Sequence, residues 1–212
     1  MVSFDYTPRT RVVLRTGALS MLGDVCRDLG FRRTLLVSDP GIVRAGFAAR
    51  AQARLEDAGM AVVRFDDFGA NPDTAMVERG RQAAAAAGVD SIVAVGGGSS
   101  LDCAKGINFV VTNGGSARDY RGYGQALRPM LPMVAVPTTA GTGSDAQSYA
   151  LISDSETHEK MACGDPQLAF KVALRSRGIQ LADRARVSAA IWQRLRQRPR
   201  SFFLPPRRAA QD

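Results

Sequence analysis

Short apolar, β-branched runs alternating with helical segments constrain this chain more than any other feature. Arg11–Leu14 has extended character, and Thr34–Val37, Ala61–Phe65 and Ser91–Val95 read as strands, the second and fourth runs buried ones. Between the first two, Ala18–Leu29 spaces Leu19, Leu22, Val25 and Leu29 as one helix face does, with Gly30 as its stop. A helix from about Ile42 to Asp57 stops near Gly59, and Asp73 suits the N-cap of a helix that reaches Ala87 before Gly88. This alternation predicts an α/β fold: a mainly parallel sheet with helices on both faces. Ligands of such sheets sit at the carboxyl ends of the strands.

Ser91–Val95 meets that edge at Gly96, Gly97 and Gly98, followed by Ser99, Ser100 and a helix from near Leu101 to about Val111. Glycines let a ligand approach the backbone closely, the first amides of a helix have no partners, and the helix dipole favours negative charge. Two adjacent phosphates are the natural guest. The run matches neither the GxGxxG fingerprint nor the P-loop pattern. A second strand, Met133–Val136, ends on Pro137, Thr138, Thr139, Ala140, Gly141, Thr142, Gly143, Ser144 and Asp145, a loop rich in small residues and hydroxyls. The glycine-rich stretch Thr112–Arg128 reads as a surface loop or flap, with Tyr120 and Tyr123 packing within it. Beyond Asp145, Gln147–Ser153, Lys160–Cys163 and Phe170–Leu174 look like short strands joined by polar turns. In the helix after the glycines, Lys105 reads as solvated and Cys103 as a small buried packing residue. His158 lies in a polar turn and reads as exposed.

Net charge separates the chain into two parts. The sequence carries +8, and all of it belongs to 175–212, where ten arginines face two aspartates; residues 1–174 balance to zero. The basic character therefore says nothing about the ligand of the main domain. Without interleaved aromatics or a motif, the arginines do not predict specific nucleic-acid binding. The expectation is a domain over 1–174 followed by a basic, disordered tail over 175–212, in which Ile179–Leu195 could form an amphipathic helix. A shifted reading frame in a GC-rich gene would give such a composition, and the nucleotide sequence past codon 174 tests that. Cys26, Cys103 and Cys163 have no metal-site spacing and suggest free thiols in a reducing compartment. With no apolar leader and no run of about 20 apolar residues, a cytoplasmic protein without a membrane span is expected.

With both loops in view, the chain resembles the iron-containing alcohol dehydrogenase family, relatives of glycerol dehydrogenase and dehydroquinate synthase. The residues that carry the resemblance are Ser38 to Gly41, Gly96 to Lys105, Pro137 to Asp145, and His158 to Lys160. It spans about residues 5 to 174 and is similar to the family's Rossmann-like N-terminal nucleotide-binding domain, of the dehydroquinate synthase type. The resemblance implies NAD as cofactor, with the pyrophosphate on Gly96, Gly97, Gly98 and Ser99 and the adenosine ribose on Asp39. A carboxylate at that position repels a 2′-phosphate and so favours NAD over NADP. It further implies Thr138, Thr139 and Thr142 along the groove, Lys160 near the nicotinamide ribose, and Asp102 toward the nicotinamide end. Asp145 stands where the family usually has Glu.

The implied activity is NAD-linked oxidation of a small alcohol or reduction of an aldehyde, possible as a homo-oligomer. The family's divalent iron or zinc polarises the alcohol oxygen, on ligands (an Asp and three His) from a helical domain that nothing from Arg175 onward resembles. One histidine cannot supply that set, so no metal ligands are expected in this chain. The run Ala140 to Asp145 fits the metal-dependent branch better than a metal-independent reductase. The alternative expectation is a truncated, inactive dinucleotide-binding fragment.

Overall fold

A computed structural model describes residues 9–176. The helix expected within 179–195 and the rest of the basic tail lie outside the described residues. In chain order the elements are β1 (Arg11–Leu14), α1 (Leu22–Asp28), β2 (Arg33–Val37), α2 (Pro40–Arg44), α3 (Phe47–Asp57) and β3 (Ala61–Phe65). There follow α4 (Thr74–Ala87), β4 (Ser91–Gly96), α5 (Gly98–Asn113), β5 (Gly122–Tyr123), β6 (Met133–Pro137), β7 (Tyr149–Ser153), β8 (Lys160–Gly164) and β9 (Val172–Arg175).

Six strands form one sheet in the order β1-β9-β6-β4-β2-β3, with every adjacent pair parallel. Because successive side chains point to opposite faces, each central strand feeds two cores at once. Leu35, Val37, Ile92, Ala94, Met133 and Ala135 pack with α4 and α5 on one face. Leu36, Val93, Val95, Val134 and Val136 pack with α1 and α3 on the other. Burial on both faces explains why these strands read as unbroken apolar runs rather than as an alternation.

The helices on the second face cross closely. A Cβ on Gly23 of α1 would collide with the Arg54 carbonyl oxygen of α3 and stand 2.9 Å from Ala58 Cβ. Gly23→Ala therefore forces two helices apart and is expected to cost about 1–3 kcal/mol, read from urea unfolding.

Three segments differ from the sequence expectation. The helix over Ile42–Asp57 is two helices, because Gly46 takes a left-handed φ of 77° and turns the chain between α2 and α3. Phe170–Leu174, read as one of the short strands after Asp145, forms β9 over Val172–Arg175, and its place between β1 and β6 in the central sheet was not expected. Arg175, placed by composition in the tail, closes that strand, and Ser176 Oγ accepts from the Gly17 amide at 3.2 Å. The flap is tied down: Tyr120 stacks on Phe109 at 4.6 Å and donates its hydroxyl to the Gly114 carbonyl at 2.6 Å.

β7 and β8 pair antiparallel, and β5 adds to β8 as a small second sheet. Ile152 of β7 reaches toward Gly106 of α5. Helix α5 is thus enclosed by the central sheet, α4 and the small sheet, and every residue from Ser100 to Val110 is buried.

Candidate functional site

Chain order reverses beside β4. From β2 the chain steps outward to β3, returns to β4 on the other side of β2, and then advances through β6 to β9. The carboxyl ends of β2 and β4 flank this switch point, where an open α/β sheet leaves a crevice. β2 runs out into Ser38 and Asp39, and β4 runs out into the glycine turn.

At that turn Gly96 has φ 152°, and a Cβ there would lie 3.2 Å from Asp39 Oδ2. Gly97 is the N-cap of α5 and supplies no side-chain cap, so no side chain takes up the helix's first-turn amides. The hydroxyl-rich loop faces the same turn. A Cβ on Gly97 would meet Thr139 Oγ1 at 3.2 Å, and one on Gly98 would meet Thr142 Cγ2 at 3.1 Å. Between the two loops lies a cleft of about 600 Å³. Gly97, Gly98, Ser99, Asp102, Thr139, Thr142 and Lys160 line it, all of them expected from the sequence.

Asp39, Gly96 and Thr138 lie outside that lining. Asp39 caps α2: its Oδ1 accepts from the amides of Gly41 (2.9 Å) and Ile42 (3.1 Å), and its Oδ2 accepts from the Ser100 hydroxyl at 2.9 Å. Thr138 is buried, and its amide ties β6 to β4 by donating to the Gly96 carbonyl at 2.9 Å. The cleft also includes residues the sequence reading missed: Asn71, Pro72, Ala140, Ser144 and Leu151. Asn71 holds a left-handed φ of 54°; its amide donates to Ser99 Oγ at 3.2 Å, and its Oδ1 accepts from Lys160 Nζ at 3.3 Å. The Asn71-Pro72-Asp73 turn before a helix cap was the available signal.

The floor of the cleft carries a carboxylate in an unusual state. Asp102 is only 6% exposed, and its Oδ1 has no hydrogen-bond partner. Burial pushes its pKa up to about 6, while the positive charge of Lys105, the Leu151 amide, the Ser144 hydroxyl and Lys160 pull it back.

Lys105 corrects the sequence reading most sharply. It is fully buried, and its Nζ donates to the carbonyls of Ser144, Gln147 and Tyr149, each at 2.7 Å. A lysine in the apparent solvent face of a helix is here enclosed because α5 has no solvent face at that level. Asp145 is buried as well and is held by both arms of Arg175, at 2.6 and 2.9 Å.

The cysteines offer no nucleophile. Burial pushes Cys26 up to about 12, Cys163 up to about 11, and Cys103 upward more strongly still. At Cys103 burial outweighs the thiolate stabilisation its place near the start of α5 would give. His158 is exposed in a turn with φ 59°. Among the described residues no three of His, Cys, Asp and Glu come together as a metal site. No described helix is long and apolar enough to cross a membrane.

Comparison with known proteins decides the family. The family model described as iron-containing alcohol dehydrogenase matches residues 8–176. The chain belongs to that family. Among family members, alcohol dehydrogenase 4 of Schizosaccharomyces pombe is 39% identical over 149 residues, which are 70% of this chain and 35% of the relative. The NAD-dependent methanol dehydrogenase of Bacillus methanolicus is 33% identical, covering 82% of this chain and 45% of the relative. The crystal structure of 1,3-propanediol oxidoreductase superposes with a TM-score of 0.82 at 32% identity, over 89% of this chain and 50% of that one. The chain thus spans less than half the length of these curated relatives. A second model, described as site-specific recombinase, matches only residues 167–205, a stretch too short to assign a family.

Proposed function

We propose that this family member binds NAD in the cleft between the glycine turn and the hydroxyl-rich loop, as part of an NAD-linked alcohol dehydrogenase or aldehyde reductase. The supporting observation is convergence: an uncapped sixteen-residue helix, glycines that admit a backbone approach, and a facing row of hydroxyls meet at the switch point of the sheet. The amides of Gly97, Gly98 and Ser99 receive the pyrophosphate, Thr139 and Thr142 flank it, and Lys160 contributes positive charge from the rim. Asp39, beside Gly96, places a negative charge at the edge that repels a 2′-phosphate and favours NAD over NADP. Relatives named for methanol, 4-hydroxybutyrate and 1,3-propanediol point to a small alcohol or aldehyde as substrate. Three free, buried thiols fit a reducing compartment such as the cytoplasm.

The family's metal ion does not fit the described residues, which bring no ligand set together. A second reading is a chain that holds the dinucleotide without turning over an alcohol. Titration with NADH, followed by fluorescence, tests the binding that both readings share. Gly98→Val fills the contact with Thr142 and Ser144 and is expected to weaken NADH about thirtyfold, near the ~2 kcal/mol of one charge-assisted hydrogen bond. Affinity equal to wild type in that variant would place the dinucleotide elsewhere. Absorbance from NADH with added iron or zinc, NAD and short alcohols separates the two readings.

A further inference from the structure

The wall of the cleft that faces the glycine turn, from Thr138 to Tyr149, is fastened to the fold at few points. At its start the Thr138 amide donates to the Gly96 carbonyl at 2.9 Å. Toward its end Lys105 of α5 donates to the carbonyls of Ser144, Gln147 and Tyr149, and the Asp165 amide donates to the Ser148 carbonyl at 3.0 Å. Other bonds stay inside the wall: the Ser144 amide donates to Thr142 Oγ1 at 3.4 Å, and the Ala146 and Gln147 amides to the Gly143 carbonyl. Among the described residues, Thr139 to Thr142 therefore make no hydrogen bond to any other element. Gly141 and Gly143, at φ 105° and 70°, stand on either side of Thr142 and add no stiffness to it.

One side chain of this wall reaches across to the central sheet. Asp145, three positions after Thr142, has a side chain only 4% exposed, and its carboxylate takes both arms of Arg175, from Nε at 2.6 Å and Nη2 at 2.9 Å. Lys105 acts on Asp145 through charge, but its three N–H groups are all committed to carbonyls. Arg175 is thus the one hydrogen-bond donor to that carboxylate among the described residues. The base of its fork is rigid. Arg175 is the last residue of β9 and faces Leu14 of β1, and its carbonyl accepts from the Arg15 amide at 3.1 Å. The next residue holds the Gly17 amide on Ser176 Oγ.

We propose that Arg175 is a positioning residue of the dinucleotide site: its fork on Asp145 anchors the hydroxyl-rich loop to β9 and so holds Thr139 and Thr142 opposite the glycine turn before a ligand arrives. The proposal rests on the dinucleotide reading and deepens it. Two parallel N–H···O bonds fix the orientation of the carboxylate as well as its distance, which the single point charge of a lysine does not. A wall held in place beforehand spares the ligand the cost of ordering it on binding. The first residue of the arginine-rich stretch therefore belongs to the cleft, and acts on it through Asp145.

The test uses the full chain, with NADH affinity read by fluorescence well below the melting temperature and the threonine methyl groups followed by ¹³C NMR. Arg175→Met is expected to weaken NADH about tenfold, the cost of ordering two side chains and their loop on binding, and Arg175→Lys about threefold. The Thr139 and Thr142 methyl signals are expected to broaden in Arg175→Met and to sharpen again when NADH saturates the site. An arginine with a purely structural role would lower the urea midpoint and leave affinity and methyl signals in place, and that result overturns the proposal.

Asp145→Asn is expected to weaken NADH by the same factor, about tenfold, and the double variant with Arg175→Met no further, because both substitutions break one link. Losses that multiply to about a hundredfold would show two separate effects and overturn the proposal. If Arg175→Met does not fold, Arg175→Lys, which keeps the charge, carries the test, and wild-type affinity in it overturns the proposal. A wild type that binds no NADH overturns the dinucleotide reading, and this proposal with it. Unchanged affinity in the variants beside intact wild-type binding overturns the proposal alone.

Discussion

Lys105→Met is expected to lower the stability of the protein by about 3–5 kcal/mol, the range for breaking a buried charged network by removing one partner. Methionine matches the length of the side chain and refills its apolar path, so the loss is not one of packing. It comes from the carbonyls of Ser144, Gln147 and Tyr149, which lose their donor. Water cannot replace that donor without opening the wall from α5. The cost of burying an ammonium, which pulls Lys105 down to about 8, is recovered in the variant and keeps the net loss below the sum of the bonds. Urea unfolding at neutral pH reads the difference. A solvated helix lysine would give a change within about 0.5 kcal/mol, so the measurement separates the two placements cleanly. Limited proteolysis is expected to cut the variant first between Thr138 and Tyr149, where the chain is released.

The fold was legible because its central strands are buried on two faces. Leu35 and Leu36 enter opposite cores, as do Ile92 and Val93, so each strand appears in sequence as an apolar run of strand length between helices with caps and glycine stops. Asp73 and Gly88 bound α4 as their chemistry requires: the Asp73 carboxylate accepts from the Met76 amide at 2.8 Å, and Gly88 takes a left-handed φ of 59°. The same local signals failed at Gly46, since a helical spacing that continues on both sides of a glycine hides a turn within it. Long-range pairing was not legible at all. Nothing in Val172 to Arg175 announces that it lies between β1 and β6, because parallel strands are joined through the sheet and not through neighbouring sequence.

For the site, backbone chemistry was readable and side-chain surroundings were not. Glycines at a strand end, followed by a helix, announce open amides, and small hydroxyl residues announce a close approach; both loops line one cleft. Asp39 shows the limit. An aspartate before Pro-Gly satisfies a ribose and a helix cap equally well in sequence, and here its Oδ1 caps α2 while its Oδ2 takes the Ser100 hydroxyl. Lys105 shows it more strongly. Its burial follows from the small sheet of β5, β7 and β8 covering α5, a tertiary fact with no trace in the helix's own spacing. Asp145 likewise reads as a turn residue until Arg175, thirty positions later, is brought to it.

Asp102→Asn is expected to stabilise the protein at pH 7.5 by about 2 kcal/mol and to leave it unchanged near pH 4. The folded carboxyl titrates near 6, against an ordinary value of 3.8, because burial disfavours its charged form. Between those values the folded chain binds the proton and the unfolded chain does not, so stability falls as pH rises from about 4 to about 6 and is level above. At neutral pH the wild type carries the full cost, about 3 kcal/mol at ~1.4 kcal/mol per unit, and below pH 4 it carries none. Asparagine removes the charge but leaves an amide where Oδ1 had no partner, which reduces the gain. Urea unfolding of both proteins at the two pH values checks the sign. A gain of equal size at both would show that Asp102 titrates alike in the folded and unfolded chain, whereas a gain confined to neutral pH would show that folding raises its pKa and that the folded protein carries a disfavoured anion at the floor of the cleft. Such a cost is retained where a bound partner offsets it: an unpaired carboxylate that weakens the empty protein strengthens any ligand that brings a donor to it. NADH is accordingly expected to raise the melting temperature of the wild type more than that of Asp102→Asn.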